Sequence, residues 1–191
     1  MKKSLLCITL IAVAFSGIYA QEVKFGIKGG LNLAGINGDE TDDLNMRTSF
    51  HIGGAAEIKL NEKFAIQPEL LYSSQGAVID TPDKPVLQYD YINLPVMGKV
   101  FVTEAFSVEL GPQVGYNINA QIKLDDIELD IEDVSPIDFG VNVGVGYTMA
   151  SGLFFNARYN LGLSNINDGE FSDEIKNQHG VIQASIGYYI F

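Results

Sequence analysis

From Val23 to Phe191 the chain alternates apolar and polar residues over eight stretches, and the connections between them run long, short, long, short, long, short, long. A period of two places successive side chains on opposite faces of a strand. Each stretch is therefore a strand with one apolar and one polar face. The first is Val23–Ala34, with Val23, Phe25, Ile27, Leu31 and Leu33 facing one way and Lys24, Lys28 and Asn32 the other. The second, Thr48–Leu60, opposes Phe50, Ile52, Ala56, Ile58 and Leu60 to Ser49, His51, Glu57 and Lys59. The third starts at Phe64 and carries Gln67, Glu69 and Ser73 on its polar side. Pro68 interrupts its ladder, which calls for a bulge or bend. The fourth is Gln88–Val102, the fifth runs from Phe106 to about Asn119, and the sixth is Ile137–Thr148. The seventh is Leu153–Leu163 and the eighth His179–Phe191.

The connections sort by length. Asn61-Glu62-Lys63, Thr103-Glu104-Ala105 and Ala150-Ser151-Gly152 are tight turns on one side. Residues 35–47, 75–87, 121–136 and 164–178 are long and lie on the other side. The third of these still alternates and reads as a hairpin turning near Asp125-Asp126. Strands of about 11 residues with turns sorted this way suit an all-β, eight-stranded antiparallel up-and-down transmembrane β-barrel. Its apolar face would meet lipid. Phe25, Phe64, Phe106, Tyr147, Tyr159 and Tyr188 are girdle candidates. Alternation alone does not say which face is inside, so a soluble lipocalin-like barrel with a greasy interior is the competing architecture.

The first 20 residues read as a secretory signal peptide: Lys2 and Lys3, an apolar run from Leu5 to Ile18, and Ala20 before a cut at Gln21. The apolar run is short for a retained membrane helix. Cys7 lies inside that run, too early for a lipidation site, and is the chain's one cysteine. The mature barrel domain, residues 21–191, is then an exported domain without thiol chemistry, which suits a bacterial envelope protein. The chain holds 12 basic and 24 acidic residues, a net charge of -12; loss of a signal with two lysines and no acid takes it to about -14. Nucleic acid is excluded as a partner on that charge.

Four segments carry a family resemblance: QPELLYSSQGA (67–77), YINLPVMGKVF (91–101), GPQVGYNI (111–118) and DFGVNVGVGY (138–147). Together they resemble the small porin-like outer-membrane β-barrels of Gram-negative bacteria. The resemblance implies outer-membrane localisation, lipid as the surrounding partner, a fold rather than a chemistry, and no pore as such. Tyr189 and Phe191 are similar to the C-terminal aromatic signal read by the outer-membrane assembly machinery. The alternation puts both on the lumen face, whereas that signal faces outward. Either a bulge near Gly187 shifts the phase or one of the two assignments gives way.

The polar face gathers Lys24, Lys28, Lys59, Lys99 and Arg158 with Glu57, Glu69, Glu109 and Asp138. An eight-stranded barrel is just wide enough to be filled by side chains. These charges therefore read as a packed ionic network, and a narrow porin-like channel is the alternative. His51, near Ser49 and Glu57 in sequence, reads as a hydrogen-bonded lumen residue rather than a lipase-type base. The acidic loops offer weak Ca²⁺ candidates, Asp125, Asp126, Glu128 and Asp130, without EF-hand spacing. No cofactor is expected. The chain reads as a monomeric structural or surface-interaction barrel acting through acidic loops, and not as an enzyme.

Overall fold

A computed structural model describes residues 22–124, 127–168 and 176–190. The proposed signal peptide (residues 1–20), Asp125, Asp126 and Phe191 lie outside the described residues. The strands are β1 (Val23–Gly38), β2 (Leu44–Lys59), β3 (Phe64–Ile79), β4 (Val86–Phe101), β5 (Phe106–Leu124), β6 (Ile127–Asp130), β7 (Ile137–Thr148), β8 (Leu153–Gly162) and β9 (Asn177–Tyr189). Each pairs antiparallel with its neighbour, and β1 pairs with β9, so the sheet is closed. Eight strands form the wall. β6 pairs only with the distal part of β5, from Gln121↔Asp130 to Leu124↔Ile127, as a projecting hairpin.

The tight turns follow from their residues. Asn61 Oδ1 accepts from the backbone N–H of Lys63 (2.8 Å) and Phe64 (3.0 Å). Thr103 Oγ1 does the same for Ala105 and Phe106 at 3.3 and 3.0 Å. These side chains close the chain on itself where the ladder ends. Gly152 turns the third with φ of 91°.

The wall is inside-out relative to a soluble protein. Phe25, Ile27, Leu31, Leu110 and Ile186 are each more than half exposed, while Lys28, Glu57, Glu69, Lys99, Glu109 and Arg158 are buried. Val143 and Val145 face outward and Arg158 faces the axis. A lipocalin places grease inside, so the soluble alternative is overturned. Phe64, Phe106, Tyr147, Phe155 and Tyr188 sit near the turn-side end of the wall. Tyr159, opposite Val143 and Ile182, is higher on the wall and is not part of that belt.

The strands are longer than the alternation suggested. β1, β2, β3 and β4 have 16 residues each and β5 has 19, against roughly 9–11 needed to cross the hydrocarbon layer. The excess lies on the long-loop side, so much of 35–47 and 75–87 is strand. Pro68 needs no bulge: β2–β3 and β3–β4 keep constant register past it, through Ala55↔Glu69 and Ile58↔Ile66 on one side and Pro68↔Val96 on the other. The irregularities lie higher, between Met46 and His51 on β2 and at Asp90/Tyr91 on β4. Register is likewise constant through Gly187, from Lys28↔Gly187 to Gly26↔Tyr189, so no bulge shifts the phase of the last strand.

Candidate functional site: a lumen closed by side chains

The inward positions of the eight wall strands meet in three layers. The turn-side layer is ionic. Arg158 on β8 donates from Nη1 to Glu69 Oε2 (2.8 Å) and from Nη2 to Glu69 Oε1 (2.6 Å). It also donates from Nε and Nη2 to Glu109 Oε2, at 3.1 and 3.0 Å. Lys28 Nζ reaches Glu69 Oε2 at 3.3 Å. Lys99 Nζ donates to Glu57 Oε2 at 2.6 Å and to Gln67 Oε1 at 3.1 Å, and lies 3.6 Å from Glu109 Oε1. The layer holds the cations Lys28, Lys99 and Arg158 against the anions Glu57, Glu69 and Glu109, and is neutral. Neutrality matters because an unpaired buried ion costs several kcal/mol. Gln67, Asn156 and Ser107 take up remaining carboxylate lone pairs.

Three of the charges expected in this network are elsewhere. Lys24 and Lys59 lie at the turn-side mouth, part-exposed, and pair with Glu22 at 3.2 and 3.7 Å. The Lys24 hydrogen bond holds the Glu22 carboxyl below its usual value. These two lysines line a mouth cavity of about 400 Å³ with Glu57, Phe101, Thr148 and Tyr189. Alternation fixed their face correctly, but they sit too near the strand ends to enter the packed layer. Asp138 sits at the opposite end, near the start of β7, with Ser164 Oγ donating to it at 3.2 Å and no ion pair among the described residues.

Tyr189 is buried at the turn-side base of the lumen. Its hydroxyl lies 2.7 Å from Gln67 Oε1 and 3.1 Å from Glu57 Oε2, and its ring stacks on Phe154 at 4.4 Å. The outward residues at this end are Tyr188 and Ile190.

The middle layer is neutral and polar. His51 Nδ1 is 2.7 Å from Asn32 Oδ1, and Nε2 is 2.8 Å from Ser185 Oγ. An amide oxygen only accepts, so Nδ1 carries the proton and Nε2 accepts from the Ser185 hydroxyl. This is the order of a Ser–His–Asn relay, yet His51 is 1% and Ser185 7% exposed. Gln183 also donates to Asn32 Oδ1 at 3.0 Å. The serine that meets His51 comes from β9, 134 residues away, rather than the neighbouring Ser49, whose hydroxyl donates to Ser74 O.

The loop-side layer is apolar, which alternation along the strands does not indicate. Ile36, Ala77, Tyr89, Tyr91 and Ile166 form a buried apolar cluster, with Leu44, Leu87, Ala120, Ile131 and Val134 packed against it. His179, fully buried, stands edge-on to Tyr89 and Tyr91 and lies 3.0 Å from the Tyr91 hydroxyl. Two long loops cross over this layer: Val134 bridges Asn167, Ser135 N–H donates to Ile166 O, and Asp168 N–H donates to Asp133 O. Of the calcium candidates, Glu128 accepts from Lys123 at 2.6 Å and Asp130 stands exposed opposite Gln121. Among the described residues no three carboxylates or histidines gather as a metal site.

A closed antiparallel cylinder with lipid-facing grease and a charged interior defines an integral outer-membrane β-barrel. The model of the outer membrane protein beta-barrel domain matches residues 19–168, and the chain belongs to that family. Its fold is similar to the crystal structure of Neisserial surface protein A, at 14% identity and TM-score 0.58, covering 87% of this chain and 98% of that one. It is also similar to Ail, the attachment invasion locus protein of Yersinia pestis, in complex with the heparin analogue sucrose octasulfate. There the identity is 13%, the TM-score 0.55, and the coverage 88% of this chain and 99% of that one. No curated protein sequence matches the chain.

Proposed function

We propose that this outer-membrane barrel is a sealed scaffold that acts through its loop-side surface, as a structural or surface-interaction protein, and not as a conduit. The observation that carries this reading is the Arg158–Glu69 pair. β8 and β3 stand four strands apart in either direction around the closed sheet, so the pair spans the lumen. Above it the Tyr91–His179 contact joins β4 to β9, again four strands apart either way. An ion crossing the barrel has to break both and displace the apolar cluster.

The surface that remains for partners is the projecting part of the long strands and their loops. It carries Asp39, Glu40, Asp42 and Asp43 in the first loop, Glu128, Asp130, Glu132 and Asp133 in the third, and Asp168 in the fourth. The crystal structure of Ail holds the heparin analogue sucrose octasulfate, a sulfated anion. Acidic loops repel such a ligand, so the partner here is basic or neutral. Export by the N-terminal signal, a monomer in lipid, and recognition of Tyr189 and Phe191 by the assembly machinery belong to the same proposal. Because Tyr189 faces the lumen, that recognition would have to precede barrel closure.

Mature protein reconstituted in planar bilayers tests the sealed-scaffold reading. The expected result is no steady single-channel current at either polarity. Well-resolved, protein-dependent unitary steps from the monomer would favour the narrow channel instead.

A further inference from the structure

The lumen opens at its turn-side end, where the ionic layer stops. A cavity of about 400 Å³ lies there, and Lys24 and Lys59 line it together with Phe101, Met149, Tyr189 and Ile190. That volume is near the small end of the range for ligand pockets. The floor is closed: the Tyr189 hydroxyl lies 2.7 Å from Gln67 Oε1, and Lys99 holds Glu57 at 2.6 Å. A molecule that enters from the turn side is therefore bound and not passed through.

The two lysines already hold the kind of group they select. Lys24 stands opposite Glu57 on the β1–β2 ladder, and Lys59 is two residues beyond Glu57, so both ammonium groups project from one face of adjacent strands. The backbone N–H of Lys59 donates to Glu22 O at 3.0 Å, which sets Glu22 beside them. One carboxylate then serves both cations: Glu22 Oε1 is 3.2 Å from Lys24 Nζ, and Oε2 is 3.7 Å from Lys59 Nζ. The Glu22 side chain is 58% exposed and is not part of the cavity lining, so it holds the ammonium groups without filling the cavity. Lys59 Nζ also lies 5.8 Å from the centroid of the Phe101 ring. An apolar surface thus stands within reach of a two-lysine carboxylate clamp.

We propose that this turn-side mouth is a binding site for a small monocarboxylic acid with an apolar or aromatic body. Its carboxylate takes the place of Glu22 between Lys24 and Lys59, and its body lies along Phe101, Met149 and Ile190. Releasing Glu22 costs little, because exposed ion pairs contribute little. The incoming acid also buries apolar surface, which Glu22 does not. The neighbouring charges limit the ligand to one negative charge. Lys99 neutralises Glu57, but Glu104 lines the same cavity and would repel a second carboxylate. The short turns of an outer-membrane barrel face the periplasm, so the acid arrives from that side.

The test uses the mature barrel in dodecyl maltoside micelles and 4-fluorophenylacetate as the probe, followed by its fluorine NMR linewidth against empty micelles. The neutral 4-fluorophenylacetamide serves as the isostere without charge. The expected result is saturable broadening of the acid and none of the amide. The Lys24→Ala/Lys59→Ala double variant loses the broadening. Ala105→Phe, which fills the cavity and keeps both lysines, loses it too. Glu22→Gln, which removes the resident carboxylate, tightens binding several-fold. Linewidths equal to those in empty micelles overturn the proposal, as does equal broadening of acid and amide. Broadening that survives the double lysine variant or Ala105→Phe also overturns it, since the acid then binds elsewhere on the surface. So does a Glu22→Gln variant that binds no more tightly, because Glu22 then does not compete for the clamp.

Discussion

Arg158 and Glu69 face each other across the lumen as a bidentate pair, with Nη1–Oε2 at 2.8 Å and Nη2–Oε1 at 2.6 Å. Parallel double hydrogen bonds of this kind fix both distance and orientation. Because their strands are on opposite sides of the cylinder, the pair bridges a bore that strand number and stagger set. Its contribution to stability is a separate matter: two ions removed from water lose hydration that their attraction only partly returns.

Removing one partner is therefore the damaging change. Arg158→Met leaves Lys28 as the cation beside Glu69 and Lys99 as the cation beside Glu109, one fewer cation than the three buried carboxylates of the layer. The expected loss is about 3–5 kcal/mol, the range for breaking a buried pair. Arg158→Met with Glu69→Leu together should lose much less than the sum of the single variants. Urea midpoints in micelles for the four members of the cycle measure the coupling. Additive losses would mean that the two side chains do not share one interaction.

Alternation carries the face of a residue but not its depth, and this separates what the sequence disclosed from what it did not. All eight wall strands and the tight turns were readable because a period of two is a local signal. Lys24, Lys59 and Asp138 were assigned the right face and the wrong layer. Whether an inward side chain meets the ionic layer or a mouth depends on the stagger of its strand against seven others, and that is set only on closure. The loop-side cluster was invisible for a related reason. Ile36 and Ile166 sit in Gly- and Asn-rich stretches that read as polar loop, and nothing local tells that two loops cross over the lumen. The partner of His51 is Ser185, which no spacing around His51 indicates.

His51 satisfies both ring nitrogens, so its loss strands two partners. His51→Ala leaves Asn32 Oδ1 with Gln183 alone and the Ser185 hydroxyl without its acceptor. A cost of about 1–3 kcal/mol is expected for such buried groups. The relay geometry invites a chemical test of the same residues. Ser185 is expected to stay unlabelled by a fluorophosphonate probe, because the residue is buried and its hydroxyl is held by His51 Nε2. Stoichiometric labelling that disappears in His51→Ala, with the urea midpoint unchanged, would make the relay a nucleophile and defeat the structural role.

Lysines of one barrel face should differ sharply by depth. Lys24 and Lys59 keep their ammonium groups near solvent and share the exposed Glu22 carboxylate. Exposed pairs contribute little, so Lys24→Ala and Lys59→Ala should each shift stability by no more than about 0.5 kcal/mol. Lys99→Ala removes the cation that serves both Glu57 and Glu109 and the hydrogen bond to Gln67. A loss of several kcal/mol is expected there. Salt should discriminate further: added salt screens the mouth pairs and leaves the buried pair almost untouched. Similar losses at Lys24 and Lys99 would contradict the layered arrangement.

Two glycines, one in the β1–β9 seam and one in the β1–β2 seam, predict opposite outcomes for one added methyl. Gly30 on β1 faces the lumen between His51 and Ser185, and a Cβ there would lie 2.0 Å from Ala184 O and 2.7 Å from Ser185 Cα. Those are backbone atoms, so the β1–β9 seam must separate to admit the group. Gly54 on β2 faces lipid, and its Cβ would meet only Gly26 O at 3.7 Å, an ordinary contact. That position lies in a shallow apolar groove with Phe25, Ala56, Leu70 and Leu94. Gly30→Ala should cost about 1–3 kcal/mol through overpacking and slow closure of the barrel, which heat-modifiable gel migration reports as a larger unfolded band after refolding. Gly54→Ala should be neutral or slightly stabilising, since a strand loses less chain entropy with alanine than with glycine. If both variants refold with the same yield and midpoint, the seam is looser than the backbone contacts at Gly30 require.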